Sequence, residues 1–209
     1  MTLGGVAPAI AAAWAGTSPV EALAALLGVA YVLLAIGQHR ACWLAALAST
    51  VLYLQVFSAA RLYMQAALQI YYIAVAVYGW RAWRAAADGA TLPVSRASWR
   101  VHALALAAVL LVSLASASWL AQATGSREPL LDSLTTWASV VATWLMARKK
   151  IENWAWWLVT DVLIAVLCWR EHLLASMVLY GLYVGLALIG WRQWLLDLRR
   201  RAPAAGQGA

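Results

Sequence analysis

Seven apolar runs follow one another along this chain, each close to the roughly 20 residues that a helix needs to cross a hydrocarbon layer. They fall at 19–38, 42–59, 62–83, 101–121, 130–147, 153–170 and 172–193, and most of the connections between them are two to five residues long. This pattern leaves few folds open. A soluble domain would have to leave much of that apolar surface in water, whereas a bilayer accepts helices because they satisfy their backbone polar groups internally. Composition agrees: 65% of the 209 residues are hydrophobic and 11% charged, against about half and a quarter in soluble domains. The expectation is an all-α membrane protein with seven transmembrane helices and the lipid bilayer as its surroundings.

Local signals sharpen the boundaries. Ser18-Pro19-Val20-Glu21 offers an N-cap, a proline at N1 and a glutamate at N3, so the first helix starts there. The stretch Ala85–Arg100 is the one long, polar, turn-rich loop. Residues 1–18 form an apolar N-terminal segment that lacks the basic start of a signal peptide. Residues 196–209 are expected as a basic, disordered tail. Cys42 and Cys168 make no CxxC and are expected as packing residues, with no disulfide, metal or cofactor implied.

The formal charge of +7 does not point to nucleic acid, because the cations sit between apolar runs rather than on a soluble face. Seven spans place alternate connections on opposite sides. Twelve of the fifteen basic residues then share one side: Arg40, Arg81, Arg84, Arg96, Arg100, Arg148, Lys149, Lys150, Arg192 and Arg199 to Arg201. Arg61, Arg127 and Arg170 fall on the other. The positive-inside rule therefore puts the N-terminus outside and the C-terminus in the cytoplasm.

A shift of 111 residues brings the two ends of the chain into register without a gap. Trp43 meets Trp154, Tyr72 meets Tyr183, and GWRAW at 79–83 meets GWRQW at 190–194. The repeat covers helices one to three and five to seven and leaves the fourth as a linker. Helices one and five cross in the same direction, so the expected architecture is 3+1+3 with parallel repeats, a transporter arrangement with substrate held where the repeats meet. The bundles are residues 19–84 and 130–195, with 85–129 as loop and linker helix.

Polar residues recur on single helix faces. In helix six, Asn153, Trp157 and Asp161 are spaced i, i+4, i+8 and share a face bordered by Trp154 and Thr160, with Trp156 pointing toward lipid. Asp161 lies about 10 Å deeper than Trp154, at a depth where a carboxylate costs about 2.5–3.5 kcal/mol. It either faces a cavity or fixes a neighbouring helix. Trp154 and Trp156 also suit an interfacial belt. Helix three adds Gln65, Gln69 and Tyr72, helix seven Tyr180 and Tyr183, and helix five Thr143 with Thr136 and Ser139. Each taken alone is an ordinary interhelical hydrogen-bonding residue; together they suffice to line a pocket. Gly181-xxx-Gly185 is expected as a close-packing site. No phosphate loop, HExxH motif or nucleophile elbow is present, so neither an ATP-driven pump nor an enzyme is expected.

With W-x-x-W-x-x-x-D at Trp154, Trp157 and Asp161, ARKKIENW before it, and LYMQAALQIYYIAVAVYGWRAW in the first half, the chain resembles the PnuC family of vitamin transporters over residues 20–195. The resemblance implies a SWEET-related fold in a bacterial inner membrane and facilitated diffusion of nicotinamide riboside. Relatives carry thiamine or riboflavin, so uptake of thiamine or another vitamin is the alternative within the family, and members can assemble as trimers, which gives a homotrimer as a candidate partner state. A non-transporting membrane sensor or assembly protein is the alternative from another class; its expected cue is an attached signalling domain, and the short basic stretch after Trp194 is not one.

Overall fold

The structure, a computed structural model, describes residues 18–59, 63–84, 92–124, 128–170 and 174–201. Seven helices account for nearly all of them: α1 Pro19–Ile36, α2 Cys42–Ala59, α3 Tyr63–Arg84, α4 Trp99–Thr124, α5 Pro129–Ala147, α6 Asn153–Arg170 and α7 Leu174–Arg201. Residues 1–17, Arg61, the 85–91 part of the long loop, Arg127, His172 and the tail from 202 lie outside the described residues.

Four helices, α1, α2, α4 and α5, are long and apolar enough to cross a membrane by length and mean hydropathy. The other three, α3, α6 and α7, are those that carry the glutamines, tyrosines and Asp161 of the polar stripes. α1 begins as expected: Ser18 Oγ accepts from the Glu21 amide at 3.2 Å, with Pro19 in the first turn. α7 runs past the expected end at 193 to Arg201. The residues WLLDL between Trp194 and Leu198 favour helix, and nothing in them supplies a stop signal.

The helices pack in a pattern that repeats itself. α2 contacts α1 and α3; α6 contacts α5 and α7; α1 also meets α7, and α3 also meets α5. Adding 111 to the residue numbers of one half turns each of these contacts into another on the same list. α4 stands outside the pattern and lies along α5, tied by Trp137 Nε1 to Ser116 Oγ at 3.1 Å.

GWRxW explains much of the repeat. A Cβ at Gly79 would overlap the ring of Trp43, and one at Gly190 would overlap Trp154. Trp43 in turn meets Trp83 edge-on at 5.5 Å and 87°, and Trp154 meets Trp194 with the same distance and angle. Trp83 Nε1 donates to the carbonyl of Ala147, the last residue of α5, at 3.0 Å. Trp194 Nε1 donates to Ala35 and Ile36 at the end of α1, both at 3.2 Å. Each half therefore caps carbonyls that the other half's first helix leaves orphaned, and the two caps together hold the bundles to each other. Gly181 and Gly185 correct the expectation made for them: both are exposed, and among the described residues nothing lies within 4 Å of a Cβ at either. The close-packing glycines are Gly79 and Gly190.

α1 and α5 also end alike. His39 N reaches Leu34 O at 2.9 Å and Gln38 N reaches Ala35 O at 3.0 Å, while Lys150 N reaches Leu145 O and Lys149 N reaches Met146 O, both at 2.9 Å. These are Schellman endings whose left-handed position is filled by Gln38 (φ 55°) and Lys149 (φ 48°) instead of glycine. The two residues meet, Lys149 Nζ donating to Gln38 Oε1 at 3.2 Å. Beside them residues 92–98 form a strap. Ser95 N donates to Lys149 O and Ile151 N donates to Ser95 O, both at 3.0 Å.

Candidate functional site

The polar stripes converge between the two bundles. On α3, Gln69 is buried and Gln65 is half-buried one turn earlier. One turn later, the Tyr72 hydroxyl shares a 2.8 Å hydrogen bond with Ser139 Oγ of α5 and has Thr143 within reach. Thr143 is itself buried and donates to Ser139 O at 2.7 Å. On α7, the rings of Tyr180 and Tyr183 lie 5.9 Å apart at 70°. Asp161 of α6, only 4% exposed, lies within electrostatic reach of Tyr72, Tyr180 and Tyr183. One buried carboxyl thus acts electrostatically on three phenols drawn from both halves of the chain.

The first half contributes more than its sequence suggests. A Cβ at Gly28 of α1 would stand 3.1 Å from the Tyr183 hydroxyl and 3.7 Å from Ser49 Oγ, so a glycine lets α7 approach α1 at this level. Three residues on, Tyr31 packs its ring 5.8 Å from that of Trp43 and lies within electrostatic reach of Tyr72. Sequence reasoning missed Tyr31, Gly28 and Ser49, and left Ser139 among the minor residues. The G-x-x-Y spacing, which puts Gly28 and Tyr31 on one face, was the only available signal, and it is a weak one.

α6 divides into two roles. Asn153, fully buried, donates from Nδ2 to Lys150 O at 2.6 Å and so fixes the start of the helix. Trp154, 2% exposed, belongs to the core against Trp194 and Gly190 and not to an interfacial belt. Trp156 also departs from the expected lipid-facing position: it is half-buried, and its Nε1 donates to His102 Nδ1 of α4 at 3.3 Å. Trp157 is half-buried and packs along the edge of the core cluster. Buried polar atoms without a partner among the described residues gather around this core: Asn153 Oδ1, Tyr31 Oη, Trp43 Nε1 and Trp154 Nε1. Such groups are costly to leave unpaired. Among the described residues no group of His, Cys, Asp and Glu is placed to hold a metal ion. The side chains brought together here offer stacking, hydrogen bonding and one acid.

Comparison with known proteins supplies the context for that arrangement. The riboflavin/roseoflavin transporter RibM of Streptomyces davaonensis is 30% identical over 66% of this chain and 66% of its own length. The nicotinamide riboside transporter PnuC of Escherichia coli is 27% identical over 89% of each chain. The crystal structure of the vitamin B3 transporter PnuC matches with a TM-score of 0.71 at 25% identity, covering 95% of this chain and 88% of that one. The family described as nicotinamide mononucleotide transporter matches residues 18–196, and the chain belongs to this family of PnuC-type vitamin transporters.

Proposed function

We propose that this protein is a facilitator that carries nicotinamide riboside across a bacterial inner membrane. In this reading all seven helices span, α1–α3 and α5–α7 form the two parallel repeats of a SWEET-related 3+1+3 fold, and α4 is the linker. The N-terminus faces outward and the C-terminus the cytoplasm. Homotrimeric assembly enters the proposal from the resemblance alone.

The observation that carries the substrate is Asp161, buried and within electrostatic reach of Tyr72, Tyr180 and Tyr183. Nicotinamide riboside brings a flat pyridinium cation, a carboxamide and a ribose. Trp157 stacks on the ring, a contact worth about 0.5–2 kcal/mol for a cation over an indole, and Asp161 balances its charge. Gln65, Gln69, Tyr180, Tyr183 and Thr143 offer hydrogen bonds to the amide and the sugar. Asn153 and Trp154 support the site from behind by fixing the start and packing of α6. The mononucleotide of the family's description would bring a phosphate to a centre whose one charged side chain among the described residues is an acid, so the unphosphorylated riboside fits better.

A second reading, riboflavin uptake, rests on the 30% identity to RibM. Its uncharged ring gains nothing from Asp161. Thiamine, cationic and aromatic, is the third candidate. Purified protein in vesicles, given labelled nicotinamide riboside, riboflavin and thiamine in parallel, decides among them. Uptake of riboside alone, down its gradient and without added ions, is the expected outcome. Uptake of riboflavin with no riboside would replace the proposal.

A further inference from the structure

Where the strap of residues 92–98 meets the end of α7, a crevice of about 470 Å³ opens, lined by Arg96, Leu195, Leu198, Arg199 and Arg201. Three of the five lining residues are arginines, and among the described residues no acidic one lines it. Arg96 is held in place by its neighbours. Ser95 is bridged by backbone to Lys149 and Ile151 and accepts from Lys150 Nζ at 2.9 Å, and Ala97 N donates to Glu152 Oε2 at 3.0 Å. Arg201 is oriented by Asp197 one turn back, at 3.1 Å. Leu195 and Leu198 pack against the core cluster and form an apolar floor.

Topology alone asks for cations on this side of the membrane, not for their convergence on one apolar-floored crevice. Nor does the repeat impose it: the positions 111 residues before Leu195, Leu198, Arg199 and Arg201 are Arg84, Ala87, Asp88 and Ala90. The cluster joins the strap to the end of α7 and has no counterpart at the end of α3 in the sequence. With 28 residues, α7 is about 42 Å long, more than the roughly 30 Å of hydrocarbon, so its last turns reach the level of the lipid headgroups.

We propose that this crevice binds the headgroup of an anionic phospholipid. Its phosphodiester is held by Arg96 and Arg199, with Arg201 beside them, and the first part of an acyl chain lies on Leu195 and Leu198. Guanidinium groups suit phosphate oxygens because their N–H donors form a planar fork. A free phosphate ester shares that chemistry but makes no use of the leucine floor. Bound there, the lipid ties the strap, and through it the α5–α6 connection, to the end of α7.

Native mass spectrometry of the purified protein tests this, using phosphatidylglycerol and phosphatidylcholine of identical chains, with glycerol phosphate as competitor. The wild type is expected to retain phosphatidylglycerol several-fold more than phosphatidylcholine, and glycerol phosphate at equal concentration should not displace it. The double variant Arg96→Gln with Arg199→Gln should lose retention on the order of tenfold. Arg81→Gln with Arg192→Gln, which removes two charges outside the crevice, should keep it. Equal loss in both double variants would reduce the site to diffuse surface charge. Displacement by glycerol phosphate would make it a site for soluble phosphate esters. Equal retention of the two lipids by the wild type, which needs no variant to fold, would remove it altogether.

Discussion

At the scale of single residues, Trp157 and Asp161 are the pair to test. Trp157→Ala should weaken nicotinamide riboside binding by roughly 1–3 kcal/mol, by analogy with base–aromatic stacking, and Trp157→Phe should keep part of it. Trp169, exposed at the far end of α6, is the silent control; Trp156 cannot serve because it bonds His102. Asp161→Asn keeps shape and removes charge, so it should cost more affinity for the cationic riboside than for an uncharged analogue of the same shape. Binding titrations of both ligands check this, and equal losses would make Asp161 a packing residue. An acid inside an apolar run stands out in any sequence, which is why Asp161 was legible. Tyr31 was not, because a lone tyrosine in α1 has no polar companion on its own face of the helix; its neighbours Trp43 and Tyr72 come from α2 and α3. Trp154 was misplaced because tryptophan suits a membrane boundary and a packed core equally well, and only the partner, Gly190, tells them apart.

At the scale of helices, the decisive contacts are those of GWRxW. Gly79→Ala and Gly190→Ala each push a methyl into a tryptophan ring and should destabilise by about 1–3 kcal/mol, the usual range for overpacking. Gly181→Ala and Gly185→Ala meet nothing and should melt like the wild type. Thermal unfolding in detergent separates the pairs, and a Gly79→Ala protein that melted normally would contradict the packing described here. Trp83→Phe and Trp194→Phe should each cost about 1 kcal/mol, for the lost bond to a helix-terminal carbonyl. Six of the seven helices were legible to within three residues at each end, since hydropathy and breakers such as Ser18-Pro19 mark them directly. The end of α7 was not, because nothing in WLLDLRRR distinguishes a helix leaving the membrane from a tail. The two glycine pairs show a related limit: small-xxx-small spacing is visible in sequence, but whether anything packs on it is not.

At the scale of the whole molecule, the repeat was legible as an offset, while the seam it creates was not. Nothing in the sequence says that Gln38 and Lys149, 111 residues apart, touch across it. Orientation is tested with single cysteines in a protein whose buried Cys42 and Cys168 are replaced by alanine. A membrane-impermeant reagent applied outside should label Gln122→Cys and spare Arg40→Cys, and the opposite result would invert the topology. The seam has its own signature. Lys149 lies between α5 and α6, is only 2% exposed, donates to Gln38 and stands 4.5 Å over the ring of Trp83. Burial, reinforced by the nearby Arg201, pushes its pKa down from about 10.5 to about 8, against the opposing pull of Asp197 and Cys42. A lysine with a lowered pKa binds fewer protons in the folded state than in the unfolded one, so stability rises with pH across that window. Below about pH 8 both states hold the proton and the cost of the buried ammonium is present in full; toward 10.5 it is relieved. Lys149→Met keeps the apolar stem and removes the titrating group. Melting temperatures measured from pH 7 to 10.5 should therefore show the variant's advantage over the wild type shrinking as pH rises, and a constant difference would mean that Lys149 is as well solvated in the folded protein as in the unfolded chain.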